Sequence, residues 1–296
     1  MQKLAFPTAL PIALSLSAFL ALTGCTSSNV DFSIDNPTEA PLKLQIDGTA
    51  YEIPAHQAKE LTLKAGGHTL DAPATGTVKF NVYAERKGAL INPTLSDYVI
   101  VSATYVTEAS KAKNFMPAGG GPFQLDGVEF HGPFELADSL FIEKDWRFGV
   151  TEPFPDSLTG YDAGNGGNIF RKIFTAPDFV AYFEKQTGQP GFFEKNRQHA
   201  AAAPHKPVPP APLPAFTDPG LQNASLKLRD LYERYQHATD PAEQQRLQSE
   251  HHQLTMDFVT AYASRGAKLP SSDNETYNVF IRRSGAIMGQ SALVAF

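Results

Sequence analysis

Leu42-Lys43-Leu44-Gln45-Ile46-Asp47-Gly48-Thr49-Ala50-Tyr51-Glu52-Ile53 is the stretch from which the architecture is most directly read. Leu42, Leu44 and Ile46 alternate with Lys43 and Gln45, and Tyr51 and Ile53 resume the alternation beyond an Asp-Gly pair. Period two over short runs marks half-buried strands. Asp47-Gly48 suits a two-residue type I′ turn, whose central residues need positive φ. The stretch predicts an antiparallel hairpin.

The same pattern extends outward. Phe32 and Ile34 alternate before a break at Asn36-Pro37-Thr38, and Leu61 and Leu63, then Val78, Phe80 and Val82, alternate downstream. Gly66-Gly67 offers a second turn ahead of His68, Thr69 and Leu70. Several short strands at this spacing predict an antiparallel sandwich or barrel. Further strands are expected near Tyr98-Val99-Ile100-Val101 and Tyr105, and at Val128 to Phe130, with long loops through Phe141, Trp146, Phe148 and Phe154. Thr175 is placed to cap a helix with Pro177 in its first turn, an apolar face of Phe179, Val180 and Phe183, and a stop at Gly188. This β-rich body with one short helix covers residues 32–198.

Residues 199–218 read as a Pro/Ala-rich linker, with Pro204, Pro207, Pro209, Pro210, Pro212 and Pro214 favouring extended polyproline II and a semi-rigid spacer. Asp218-Pro219 then opens a helical hairpin over 219–268. Leu221, Ala224, Leu228, Leu231 and Tyr235 fall on one face, Asp240-Pro241-Ala242-Glu243 is a capping box, and Leu247, Leu254, Phe258 and Ala261 continue the stripe to Gly266. Such a hairpin cannot bury its apolar face alone, so it must dock on the β body, on a second copy or on a protein partner. Tyr277, Val279 and Ile281 alternate, and Ala286 to Phe296 is apolar and uncharged, so 269–296 reads as a C-terminal β-like segment returning to a sheet of the body. The predicted fold class is α+β: an antiparallel β-sandwich-like body with a C-terminal helical hairpin.

Two resemblances attach to these residues. Leu42 to Tyr51, followed by Leu61 to Leu70 with its Gly67-His68 return, resembles small surface β-modules of the PEGA type over about thirty residues. That pattern has no catalytic residues to carry over. At the N-terminus, Lys3 precedes an apolar run from Leu10 to Leu22 that is too short to span a bilayer and fits the core of a signal peptide. Leu22-Thr23-Gly24-Cys25 closes that run and resembles the lipobox of bacterial lipoproteins. The resemblance implies a signal peptide at 1–24, lipidation of Cys25, cleavage before it and a lipidated tether at 25–31. Thr26 stands where an Asp would resemble the inner-membrane retention signal, which favours the outer membrane. Two or more acyl chains anchor stably where one is marginal.

Composition narrows the function classes. Cys25 is the sole cysteine, so with its sulfur acylated no disulfide, thiolate metal site or cysteine nucleophile is available. A formal charge of -6 without clustered Lys and Arg argues against nucleic acid as a partner. His251 and His252 are adjacent on a predicted helix and point about a hundred degrees apart, so they cannot share one ion with His237. His131 lies near Asp126 and Glu129, but no G-x-S-x-G elbow accompanies it. The glycine-rich run Tyr161 to Asn168 lacks the Lys-Ser/Thr ending of a phosphate loop, and Asp162, Asn165 and Asn168 are few donors for calcium. No catalytic, cofactor or metal site is expected. The reading is a lipid-anchored cell-envelope protein of non-enzymatic binding or structural type, its partners being the membrane and a protein docked on the hairpin. The competing reading is a periplasmic hydrolase using scattered carboxylates such as Asp126, Glu129, Glu143 and Asp145.

Overall fold

The computed structural model describes residues 28–117, 120–158, 166–198, 205–265 and 269–295. The expected signal peptide and Cys25 lie outside the described residues, as do Asp162, Asn165 and Gly266. The body begins with β1 (Asn29–Asn36), β2 (Leu42–Ile46), β3 (Thr49–Ile53), β4 (Gln57–Lys64), β5 (Gly66–Ala72), β6 (Gly76–Val82) and β7 (Ala89–Ile91). It continues through β8 (Tyr98–Val106), β9 (Phe123–Leu125), β10 (Val128–Phe130), β11 (Phe134–Ala137), β12 (Phe141–Glu143) and β13 (Gly167–Thr175). Then come α1 (Ala176–Thr187), α2 (Phe192–Asn196), α3 (Pro219–Ala224), α4 (Leu226–His237), α5 (Pro241–Ala263), α6 (Ser271–Ala286) and β14 (Ala292–Val294).

The fold is α+β, with a β-sandwich at its centre. One sheet has the order β12-β7-β1-β4 and the facing sheet β14-β6-β5-β2-β3. The hairpin Leu42 to Ile53 forms as its alternation dictates, Leu42 opposite Ile53, with Asp47 at φ 51° and Gly48 at φ 78° in the turn. Val30, Phe32 and Ile34 of β1 meet Leu44, Ile46, Leu70, Phe80 and Val82 between the sheets. Each such side chain removed from water contributes about 1.5–3 kcal/mol. Two expectations change here. Asn29, Val30 and Asp31 already pair with Lys64, Leu63 and Thr62, so the tether expected at 25–31 is shortened by strand residues; Val30 shares the inward face of Phe32. Gly66-Gly67 makes no hairpin: β4 lies in one sheet and β5 in the other, and the chain crosses between them at Ala65-Gly66, with Gly66 at φ 136°.

A third sheet, β11-β8-β13, packs on the outer face of the first, Tyr98, Ile100 and Ile173 against Leu90 and Ile142. Its far side is covered by the β9–β10 hairpin and by α1, with Phe130 ringed by five other phenylalanines at 5.0 to 6.3 Å. Helix α1 follows its sequence signals: Thr175 Oγ1 accepts from Asp178 N at 3.3 Å, and Gly188 closes the helix at φ 65°. Asp35, on the outward face of β1, is buried and accepts a hydrogen bond from Tyr98 Oη at 2.6 Å, tying the first sheet to the third. Burial is the largest influence on Asp35 and raises its carboxyl above the ordinary range. The folded state therefore binds more protons than the unfolded chain between the two values, and stability falls as pH rises through the raised one. Asp35→Asn removes that dependence. Its melting temperature is expected to match the parent near pH 4, about the unfolded value, and to exceed it at neutral pH; parallel melting curves at every pH would contradict this.

The C-terminal part departs most from expectation. In place of a β-like segment over 269–296, Ser271–Ala286 is helix α6 and Ala292–Val294 is strand β14, antiparallel to β6. The alternation of Tyr277, Val279 and Ile281 coincides with a helical stripe of Tyr277, Phe280, Ile281 and Ser284, of which Phe280 and Ser284 are buried. The two-helix hairpin is thus α4 and α5 joined by α6, around Leu228, Leu231, Tyr235, Leu247 and Phe258. This core docks on the β body through Tyr83 and Leu293. Tyr83 Oη donates to Tyr235 O at 2.8 Å and Asn81 Nδ2 to Gln236 O at 2.8 Å. Of the three ways in which the hairpin could cover its apolar face, docking on the β body is the one seen here.

Candidate functional site

A polyproline segment has no internal hydrogen bonds, so its carbonyls are free to accept from elsewhere. Here they do. Arg229 donates to Leu213 O and Pro214 O, Arg283 to Pro212 O, and Tyr232 Oη to Ala211 O at 2.8 Å. Leu213 and Phe216 are buried in the helical core, and the Arg229 guanidinium lies 5.8 Å from the Phe216 ring centre and 5.0 Å from that of Phe280. At the strap's end the Asp273 carboxylate accepts from Thr217 N, Thr217 Oγ1 and Asp218 N at 2.8 to 2.9 Å. These bonds, first among them that from the Thr217 backbone, hold its carboxyl below the ordinary range. Residues 205–218 are therefore a fastened strap and no spacer, which corrects the linker expected at 199–218.

Between the strap and α4 runs a groove of about 1110 Å³. Pro209 to Leu213 line it from the strap, Tyr232, Gln236 and His237 from α4, and Ala238 to Asp240 from the turn that follows. The lining is mainly apolar. Its charged rim is compensated locally: Arg234 reaches Asp230 at 3.1 Å and Glu243 at 3.3 Å, and Glu243 also takes Arg246 at 2.6 Å. Those guanidinium contacts, led by Arg246, hold the Glu243 carboxyl low. Gln236 is 6% exposed; its Nε2 donates to Tyr232 O at 3.2 Å, while its Oε1 is buried without a partner among the described residues. A buried acceptor in that state is unusual and calls for a donor. On the far side of Pro209-Pro210-Ala211 a second hollow of about 530 Å³ reaches Phe141, Ile287 and Leu293.

The strap begins at His205, which sits between two carboxylates. Its Nε2 is 3.2 Å from Asp97 Oδ1 and its Nδ1 3.3 Å from Asp138 Oδ2. Among the described residues this is the group of three side chains close enough to hold a metal ion. An ion would have to take one ring nitrogen away from its carboxylate, because each nitrogen faces a different one. His205 thus stands between the two acids, with no hydrogen bond reaching Asp97 Oδ1 among the described residues. Burial first, and Asp138 as a like charge, raise the Asp97 carboxyl, while the His205 charge opposes the rise. Sequence reading passed over this trio because its members come from the loop before β8, the end of β11 and the proline run.

The residues singled out by sequence fall apart in space. Asp126 is in the β9–β10 turn at φ 44°, and Glu129 pairs with exposed His131 at 2.9 Å. Glu143 accepts from Ser291 N at 2.6 Å and Ser291 Oγ at 2.7 Å, a structural clasp between β12 and the residue before β14; burial raises its carboxyl. Asp145 pairs with Arg171, which also takes Glu135. His251 is half-buried on α5, its imidazole held below the ordinary value by burial, while His252 is exposed. His237 lines the groove at the end of α4. Buried Lys172 had no sequence signal. Its Nζ donates to Gly149 O, Val150 O and Glu152 O at 2.6 to 3.0 Å, and burial lowers it to about 8. It fastens the 149–152 turn to β13.

Set against protein-family models, curated proteins and solved structures, the chain matches none.

Proposed function

We propose that this chain is a lipid-anchored cell-envelope protein of binding type, held at the outer membrane by acyl chains on Cys25, with the groove beneath the proline strap as its ligand site. The observation that carries the binding half is the groove itself: a concave, mainly apolar channel beside a buried, unpartnered Gln236 Oε1. Pockets of this kind hold small ligands through apolar contact, with a few placed polar groups setting orientation. The ligand best matched is predominantly apolar. The lipid half is supported by Leu22-Thr23-Gly24-Cys25. Among the described residues no helix is long and apolar enough to cross a membrane.

Two arms test the reading. Cys25→Ala is expected to move the protein from the membrane pellet to the soluble fraction, and retention of the variant in the pellet would count against the anchor. N-phenyl-1-naphthylamine, an apolar reporter, is expected to brighten on binding the intact protein. Ala211→Phe, which fills the groove from the strap, should abolish that signal; equal brightening with the variant would remove the groove from the account.

A further inference from the structure

Cys25 precedes Ser28 by three residues, and an extended chain covers at most about 3.3–3.6 Å per residue. Acyl chains on its sulfur would therefore attach within about 10 Å of Ser28. Ser28 is already part of the fold, its carbonyl accepting from Ala65 N at 2.5 Å. The anchor, wherever its acyl chains lie, holds this one end of the sandwich close to the bilayer.

That end carries a row of lysines. Lys64 pairs with Asn29 at the start of β1. Phe32 is level with Ala89 in the parallel β1–β7 pair, which sets Lys87 level with Val30. Lys144 N donates to Gly88 O at 2.9 Å at the end of β12. With the order β12-β7-β1-β4, the three lysines cross the sheet end over three strand spacings, about 15 Å. All three are exposed and form no ion pair among the described residues. Beside Lys87 and Lys144 opens a shallow hollow of about 520 Å³ bordered by Trp146, Arg147 and Phe170. Trp146 is half-buried, and the Arg147 guanidinium lies 4.9 Å from the Phe170 ring centre. Of the nearby acids, Asp145 pairs with Arg171, while Asp31, which accepts from Thr62 Oγ1, and Glu85 are exposed and keep their charges, against the three lysines. The row stands against the sign of the whole chain, which is -6.

We infer that this end of the first sheet, bearing Lys64, Lys87 and Lys144 with Trp146 beside them, is a contact face for anionic lipid headgroups. The inference rests on acylation of Cys25 and adds an orientation to it. Juxtamembrane lysines are drawn to an anionic surface within a Debye length, and tryptophan favours the headgroup level. The acyl chains hold the protein to the bilayer, and the lysines seat it with this face down.

The test uses the full lipidated protein in vesicles of phosphatidylcholine alone or mixed with phosphatidylglycerol. A membrane-impermeant amine-acylating reagent is applied, and labelling at each lysine is read by peptide mass spectrometry relative to exposed Lys185 on α1 and Lys227 on α4. On the anionic vesicles, labelling of Lys64, Lys87 and Lys144 is expected to fall about fivefold, with no fall on phosphatidylcholine. Salt at about 0.5 M should restore it. The double variant Lys87→Glu/Lys144→Glu should still pellet with vesicles yet lose protection at Lys64. Protein that pellets with both vesicle types and labels equally on both overturns the contact face while leaving the anchor standing. Protein that pellets with neither, with a bare thiol in its Cys25 peptide, overturns anchor and face together.

Discussion

Gly88→Ala is expected to leave almost no folded protein. Gly88 lies just before β7 at φ 91°, and a Cβ there would sit 1.7 Å from the Asp31 carbonyl oxygen and 2.9 Å from its carbon. Those atoms are backbone of β1, an interior strand of the first sheet, so no flexible side chain can move aside. Gly88 N also donates to Ser291 Oγ at 3.1 Å, and its carbonyl takes Lys144 N. Relieving the clash would part β1 from β7 and open the core around Phe32 and Ile91. Positive φ alone costs an alanine about 1–2 kcal/mol. Strand separation raises the total to about 5 kcal/mol or more, comparable to the whole stability of many domains. Gly76→Ala is the control: it has φ 63° and nothing within 4 Å of the added carbon, so only the conformational cost of about 1–2 kcal/mol applies. Soluble yield and urea midpoints of the two variants should differ sharply. A Gly88→Ala protein as stable as Gly76→Ala would mean the β1–β7 approach is wrong.

Gln244→Leu should cost about 3–5 kcal/mol, because it strands three buried backbone groups. Gln244 is fully buried on α5. Its Nε2 donates to Val82 O and Ala238 O, both at 2.9 Å, and its Oε1 accepts from Ala84 N at 3.0 Å. One amide thus serves the end of β6, the chain beyond it and the α4–α5 turn. Leucine matches its volume and satisfies none of them. The denaturation midpoint should drop, and near-ultraviolet dichroism from the stacked pair Tyr83 and Tyr235, 4.5 Å between centres, should weaken as the helices loosen. A loss below about 1 kcal/mol, within the range of an ordinary single hydrogen bond, would show that water or a neighbour replaces the amide.

The parts of this fold that local chemistry dictates were legible. Leu42 to Ile53 needed only alternation and an Asp-Gly turn, and Thr175, Asp218 and Asp240 announced their helices as caps. What stayed hidden depends on distant partners. Three-residue strands such as β7 and β12 have no period to detect, and their pairing is set by β1. Gly66-Gly67 has the composition of a hairpin turn, yet crosses between sheets because β4 finds β1 as its partner. The α6 segment carries both periods at once, and Phe280 decides between them only when Phe216 and Phe258 are there to meet it. The proline strap reads as a spacer until Arg229, Arg283 and Tyr232 are brought to its carbonyls. The groove and the His205 trio exist only through that long-range assembly, so no window of sequence contains them.

Strand β14 has a bearing on how the molecule is made. It seats against β6 with Ala292 opposite Val82, across the whole of residues 83–291. Biosynthesis is vectorial, so while the ribosome is still adding the helices, β6 waits with one flank bare and Ala84, Gly88 and Glu143 without their later partners Gln244 and Ser291. The sandwich is a purse whose drawstring is threaded last, and a chain in transit stays loose until that final pull.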